Sequence, residues 1–469
     1  MRDKLNEECG VFGIYNTRPE DTSKLVYYGL FSLQHRGQES AGIAVSDGEQ
    51  INYYKDEGLV QEVFDPKLLN FLQGAHGIGH VRYSTTGGTT YENAQPVVIV
   101  SSQGQMALAH NGNLVNTSEL MSDLEAQGAT FQSSTDSETI LKLVAKNAIE
   151  SEDMTEAIKK TMSMIKGGYS ILLLTPDKLY AFRDPMGLRP LIMGRMDDSF
   201  VFASESCAID SVKGDIIRDV KPGEIICVDV DGIHSEQTEV STTHICSFEY
   251  VYFARTDSVI DGLNVYEARI NMGKRLFKET GRKADIVIDI PDSGTSAALG
   301  YSQASGVPFD KGFYRNAYIG RTFISPKQDM REIGVNFKLS PIRRNVEGKS
   351  VIMIDDSIVR GTTITRIVKS LRRAGATEVH VMITSPPVKY SCYYGIDTPD
   401  RSKLIAAKKP VEDIGIEIGA DSLSYLSHAG LADCLKKSGL GTCMACFDGK
   451  YPVQDRKSTR LNSSHVEIS

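Results

Sequence analysis

The plainest pattern of hydrophobic and polar positions lies between residues 351 and 371. Val351-Ile-Met-Ile354 is an uninterrupted apolar run containing isoleucines, which predicts a buried strand. Beyond Gly361, apolar residues recur at Ile364, Ile367, Val368 and Leu371, the spacing of one helix face. The same alternation surrounds this unit. It predicts a helix over 266–279, strands over 284–290 and 378–383, and helical segments to about 435. Strands alternating with helices predict an open parallel sheet. The first half reads differently. A short apolar strand follows Cys9, a helix covers 139–147, and strands follow one another over 169–174, 179–182, 200–203 and 224–230. The last of these is preceded by the turn Lys221-Pro-Gly. Many strands with few crossover helices predict a separate α/β architecture. Periodicity fades over 234–242, so the expected units are 9–240 and 241–430, followed by a cysteine-bearing arm over 431–452.

Composition narrows the class. The chain has 469 residues, 41% of them hydrophobic and 24% charged, room for two or three domains. Its net charge of −8 argues against nucleic acid as a partner. No apolar run approaches the roughly 20 residues that span a bilayer, and residues 1–8 are too short and acidic for a signal peptide. A cytoplasmic protein without a membrane partner is expected. Eight cysteines in a chain this long do not form a secreted disulfide framework.

The chemistry of Val351-Ile-Met-Ile-Asp-Asp-Ser-Ile-Val-Arg-Gly-Thr-Thr363 follows from its place. In a parallel sheet, ligands bind at the carboxyl ends of strands, and the helix that follows offers free N–H groups and a positive dipole end. Gly361 permits close approach of a phosphate, and Ser357, Thr362 and Thr363 add hydroxyls. Asp355 and Asp356 would repel a bare phosphate, so they call for hydroxyls, a metal ion or both. An acidic turn that merely caps a helix is the plainer alternative. The whole run, however, resembles the fingerprint of the phosphoribosyltransferases that bind phosphoribosyl pyrophosphate (PRPP). The resemblance implies that Asp355 and Asp356 hold the ribose hydroxyls and Mg²⁺, while the loop of Ser357, Arg360, Gly361, Thr362 and Thr363 holds the 5′-phosphate. Pro291-Asp-Ser-Gly-Thr-Ser296, a second strand-to-helix loop, becomes the pyrophosphate loop with Asp292, and with Ser293 near Mg²⁺. Arg315-Asn-Ala-Tyr-Ile-Gly-Arg-Thr-Phe-Ile324 resembles the family's closing loop. It keeps Arg321, but Arg315 stands where a lysine is usual and Ala317 where an arginine is usual.

Cys9 alone would read as an ordinary buried thiol. Four motifs that follow it in order change that reading: Leu33-Gln-His-Arg-Gly-Gln-Glu-Ser-Ala-Gly-Ile43, Gly79-His-Val-Arg-Tyr-Ser-Thr85, Ala109-His-Asn-Gly-Asn-Leu114 and Ser133-Ser-Thr-Asp-Ser-Glu138. With Cys9-Gly-Val-Phe-Gly13 they resemble the glutamine amidotransferases whose N-terminal cysteine is the nucleophile. Asp184-Pro-Met-Gly-Leu-Arg-Pro190 matches them too. The resemblance implies an α/β/β/α sandwich and removal of residues 1–8 as a propeptide. The freed α-amine of Cys9, with a pKa of roughly 8, can then take the thiol proton. Arg82 suits the substrate α-carboxylate and Asp136 its α-ammonium, though Asp136 equally suits a helix N-terminus. Asn111 and Gly112 are the implied oxyanion hole.

Cys443-x-x-Cys446 has metal-ligand spacing that fits zinc, a redox pair or an iron–sulfur cluster. One branch of these amidotransferases binds [4Fe–4S] through cysteines matching Cys246, Cys392, Cys443 and Cys446, which implies one cluster per subunit beside one Mg²⁺. Cys207, Cys227 and Cys434 read as core residues. Residues 453–469 are polar and non-periodic, expected to be a disordered tail or a truncation scar.

Together the resemblances imply an enzyme that turns PRPP, glutamine and water into 5-phosphoribosylamine, glutamate and diphosphate, the first committed step of purine synthesis. They also imply an apolar passage that keeps ammonia neutral between the two sites, feedback by purine nucleotides, and a homotetramer. A non-catalytic nucleotide sensor would carry a basic DNA-reading module, and none is visible. A glutaminase serving another acceptor would not need the PRPP motif.

Overall fold

A computed structural model describes residues 9–83, 90–240, 242–316, 339–396, 398 and 400–453. The first half is built on two antiparallel sheets. One has seven strands, with Gly10–Tyr15 at its centre between Ser199–Ala203 and His76–Arg82. The other has six, with Gly167–Leu174 paired to Gly104–Leu114 and to Leu179–Arg183. Side chains alternate across each strand. Val11, Ile78 and Phe202 of the first sheet therefore meet Ala109, Leu172 and Ile226 of the second in one buried layer. Leu108, Ile171 and Phe182 point the other way, onto the helices Asp136–Ile149 and Met154–Met164. Phe12 and Val201 face the helix Thr22–Ser32 through Val26 and Leu30. These layers form the expected α/β/β/α sandwich.

The second half has a four-stranded sheet in the order Ile286–Asp289, Ser350–Asp355, Glu378–Ile383, Ser422–Tyr425, all parallel. Its first three strands are largely buried on both faces, which is why they read as continuous apolar runs. Val351, Met353 and Val381 pack on Ile364, Ile367 and Leu371 of the helix Thr362–Arg373. Val287, Ile352 and Ile354 face Met272, Leu276 and Ala298 from the helices Val265–Thr280 and Thr295–Ser305. Cys207 and Cys434 lie in that same core, and Cys227 lies in the helix-facing core of the sandwich.

Two expectations are corrected. The stretch over 234–242 opens with an edge strand, Gly232–Gln237, paired with Glu224–Asp229. Both of its faces are largely open to solvent, so no apolar period marks it. Ser422–Tyr425 interrupts the segment read as helical. It too is an edge strand, half-buried and half serine. Among the described residues no helix is long and apolar enough to cross a membrane.

Candidate active sites and the cysteine centre

The central strand of the seven-stranded sheet begins at Gly10, so Cys9 stands at its open end. The antiparallel neighbour His76–Arg82 ends at the same edge, which brings Arg82 and Tyr83 alongside. Cys9 is nearly buried, and its thiol donates to the Tyr83 carbonyl at 3.5 Å. Ser204 ties the second sheet in. Its Oγ accepts from Val11 N at 3.0 Å and from Asn111 Nδ2 at 3.5 Å. Asn111 is fully buried, its Oδ1 has no partner, and an amide nitrogen carries two donors. Gly112 follows at φ +145°, in a conformation that side-chain-bearing residues rarely adopt; an added Cβ would sit 2.0 Å from the Gly168 carbonyl oxygen.

Asp136 opens the helix Asp136–Ile149, and its Oδ2 accepts from Leu114 N at 2.9 Å. His110 Nδ1 is 3.5 Å from its other oxygen. Burial pushes this carboxyl up, but His110 and the Leu114 and Ser137 N–H groups outweigh it and hold the group below the ordinary carboxylate range. Asp136 is therefore held as an anion against Leu114 N, two residues beyond Gly112.

A buried charge network stands behind Cys9. Arg36 Nε donates to the Cys9 carbonyl at 3.1 Å. Its Nη1 donates to Glu205 at 2.6 Å and to Glu249 at 2.9 Å, and its Nη2 donates to Glu249 at 2.7 Å. Glu205 also accepts from Ser258 Oγ at 2.7 Å and Arg255 N at 2.9 Å. Burial raises the Glu205 carboxyl, but His35 and Arg36 overcome this and hold it well below the ordinary range.

In the second half, Asp355 ends its strand and Asp356 follows; both are buried. Asp356 accepts from Ser357 Oγ and from Ser293 Oγ, each at 2.5 Å. The two strand-to-helix loops therefore meet at one carboxylate. The helices they lead into, Thr295–Ser305 and Thr362–Arg373, start at Gly294 and Gly361 without a side-chain cap. An uncapped helix N-terminus is a setting that can receive an anion. Arg360 Nε is buried without a partner, and Asp292 pairs with Arg315. Arg321 and Ala317 lie outside the described residues, as do residues 1–8 and 454–469.

The four cysteines expected to act together are neighbours, but among the described residues no group of three or more His, Cys, Asp or Glu is set to hold a metal ion. Cys246 and Cys443 are register partners in a short parallel pair, Ile245–Cys246 with Thr442–Cys443. Cys446 lies in the next turn, and its carbonyl accepts from Lys389 N and Tyr390 N at 3.0 Å, which draws in the segment bearing Cys392. All four are free thiols, and Cys392 alone is not buried. Burial, reinforced by Cys246, Cys443 and Cys392, pushes the Cys446 thiol well above its usual value.

Comparison with known proteins bears on both halves. A family model for a glutamine amidotransferase domain matches residues 80–211. The amidophosphoribosyltransferase of Bacillus subtilis is 50% identical over 463 residues, covering 97% of this chain and 96% of that protein. The chain belongs to the amidophosphoribosyltransferase family. The amidophosphoribosyltransferase of Methanocaldococcus jannaschii is 48% identical over 462 residues, 95% of this chain and 98% of its own. A solved structure of glutamine PRPP amidotransferase from B. subtilis, complexed with ADP and GMP, aligns with TM-score 0.89 at 48% identity over 96% of this chain and 98% of that one. A second structure, of the allosteric regulatory enzyme of purine biosynthesis, aligns with TM-score 0.90 at 48% identity, over 96% of this chain and 97% of that one.

Of the predicted residues, Cys9, Asn111, Gly112 and Asp136 lie in the two-sheet half, and Ser293, Asp355, Asp356 and Ser357 lie in the parallel-sheet half. Sequence reasoning assigned no role to Arg36, His110, Arg189, Glu205 or Glu249. Arg36, His110 and Arg189 lay inside motifs already quoted, and Glu249 lay three residues beyond Cys246. Nothing local announced the network, because its members are brought together only by folding.

Proposed function

We infer that the chain is an amidophosphoribosyltransferase, a glutamine-dependent pentosyltransferase forming 5-phosphoribosylamine from PRPP at the first committed step of purine synthesis. The observation that carries this is the full-length match, which spans an amidotransferase half and a phosphoribosyltransferase half together. In the glutamine half, Cys9 attacks the carboxamide carbon, and its α-amine, free once residues 1–8 are removed, takes the thiol proton. The Asn111 side chain and the Gly112 N–H stabilise the oxyanion, contributions of about 3 kcal/mol each. Arg82 binds the α-carboxylate of glutamine and Asp136 its α-ammonium. The amine returns the proton to departing ammonia, and water then cleaves the thioester. In the other half, Asp355 and Asp356 bind the ribose hydroxyls. The loop of Ser357, Arg360, Gly361, Thr362 and Thr363 binds the 5′-phosphate, and Asp292, Ser293 and Arg321 bind the pyrophosphate. An apolar passage keeps ammonia unprotonated until it reaches C1 of the ribose.

Ser293, Asp355 and Asp356 offer only hard oxygen donors, which suits Mg²⁺. That ion is commonly held by one or two carboxylates plus substrate phosphates. Such a site needs no dense cage of protein ligands, and among the described residues there is no group of three or more His, Cys, Asp or Glu set to hold a metal ion. Bound Mg²⁺ would neutralise charge on the leaving diphosphate. Cys246, Cys392, Cys443 and Cys446 would supply the four thiolates of one [4Fe–4S] cluster. Its part would be structural. The reading extends to a cytoplasmic homotetramer restrained by purine nucleotides. Cys9→Ala tests the core of it: glutamine-dependent synthesis should vanish while synthesis from concentrated ammonia persists. Loss of both activities in a folded variant would refute the two-site reading.

A further inference from the structure

The glutamine half and the second half touch directly behind Gly112. Arg189 is 1% exposed, at the end of the turn that begins at Asp184. Its Nε and Nη2 both donate to the Tyr394 carbonyl, at 2.9 and 2.5 Å. Asn113 Nδ2 donates to the neighbouring Tyr393 carbonyl at 2.9 Å. The next residue, Gly395, is wedged between the two. A Cβ placed there would lie 3.1 Å from Arg189 Nη2 and 3.1 Å from the carbonyl carbon of Gly112. The backbone of Gly112 is thus held between Gly168 on one side and Gly395 on the other.

Burying a guanidinium is costly, so its partners are informative. Arg183, from the same segment, pairs with a carboxylate, Asp261, at 2.7 and 2.9 Å. Arg189 directs two N–H groups at one backbone oxygen, and its Nη1 lies 3.6 Å from Glu249 Oε1. That carboxylate is the one Arg36 also binds, and Arg36 reaches the Cys9 carbonyl. Whatever else Arg189 meets, its two N–H groups on the Tyr394 carbonyl hold that stretch of backbone in place.

We propose that Arg189 is a positioning residue for the glutamine half-reaction: with Asn113 it clamps the backbone of residues 393–395 against Gly112 and so sets the backbone N–H that faces the oxyanion. The proposal rests on the roles inferred for Cys9, Asn111 and Gly112. It makes glutamine hydrolysis dependent on a segment of the phosphoribosyltransferase half, next to Cys392, whose Sγ accepts from Tyr394 N at 3.3 Å. Synthesis from ammonia bypasses the oxyanion and is independent of the clamp.

The test uses the full chain and compares Arg189→Met, Arg189→Lys, Asn113→Ala and Gly395→Ala with Asp261→Asn, which breaks an ion pair that does not touch Gly112. Glutamine-dependent and ammonia-dependent diphosphate release are measured on each preparation, with the rate of Cys9 alkylation by a diazoketone analogue of glutamine. Arg189→Met and Gly395→Ala should lower kcat with glutamine by about 100-fold, the order that a misplacement near 1 Å costs. KM for glutamine should stay within about threefold, alkylation should slow in parallel, and ammonia-dependent synthesis should stay within about twofold. Arg189→Lys should recover part of the loss, and Asn113→Ala should lose about tenfold. If Arg189→Met does not fold, Gly395→Ala and Asn113→Ala decide. The proposal is overturned if those variants keep wild-type glutamine turnover, if both activities fall together, or if Asp261→Asn shows the same split. Cys9→Ala run in parallel separates the two levels: glutamine use surviving in that variant refutes the function itself, whereas its loss beside a fully active Gly395→Ala refutes only the clamp.

Discussion

Gly112→Ala is the sharpest probe of the glutamine site. The added methyl carbon would lie 2.0 Å from the Gly168 carbonyl oxygen and 2.9 Å from both the Gly168 carbonyl carbon and the Tyr169 Cα. All three atoms are backbone, so no rotamer change relieves the contact; the strands Gly104–Leu114 and Gly167–Leu174 must part locally. Opening one or two ladder bonds costs about 1 kcal/mol each. Holding alanine at φ +145° adds about 1–3 kcal/mol. The total destabilisation is about 2–5 kcal/mol, confined to the sandwich. Relieving the contact moves the Gly112 N–H by roughly 1 Å, enough to lower kcat/KM for glutamine by about 100-fold. The proposed PRPP site lies on a different sheet, so ammonia-dependent synthesis per folded molecule should be unchanged. Thermal melting gives the first quantity, and coupled assays with glutamine or ammonia give the second. An unshifted melting temperature together with wild-type glutamine turnover would refute both the packing argument and the oxyanion role.

Asp356→Asn removes a charge that takes hydroxyl donors from both strand-to-helix loops, and synthesis should fall by at least about 100-fold with either nitrogen donor; near-normal ammonia-dependent turnover would count against the proposed PRPP role. Glu205→Gln should cost about 3 kcal/mol at neutral pH, because it strips a buried anion from Arg36 and His35. Since the native carboxyl is held well below its unfolded value, that contribution is full above roughly pH 4.3 and fades as pH falls below it toward the native value. The gap in melting temperature between variant and wild type should therefore narrow in acid, and a gap that widens would contradict the sign. Cys446→Ser should lose iron and acid-labile sulfide, and should melt lower because metal binding of this kind is coupled to folding; a cluster-free variant with the wild-type melting temperature would remove the structural role.

The sequence by itself determined the architecture and the chemical inventory. The strand Ser350–Asp355 and the helix Thr362–Arg373 were legible because a strand buried on both faces must be apolar throughout, and a helix with one buried face must repeat every three to four residues. Cys9, Asn111, Asp136, Asp355 and the pair Cys443 and Cys446 could be singled out because they sit in contiguous motifs. Edge strands such as Gly232–Gln237 and Ser422–Tyr425 were not, since backbone pairing leaves little mark on side chains that remain in solvent. Only the tertiary structure decided that Ser293 and Asp356, 63 residues apart, share a hydrogen bond. Only it decided that Arg36 binds Glu249 across 213 residues and that Arg189 reaches Tyr394 across 205. A local pattern reports which face of an element is buried. It carries no information about which charges from distant elements are desolvated together, and the pairing of those charges follows from packing.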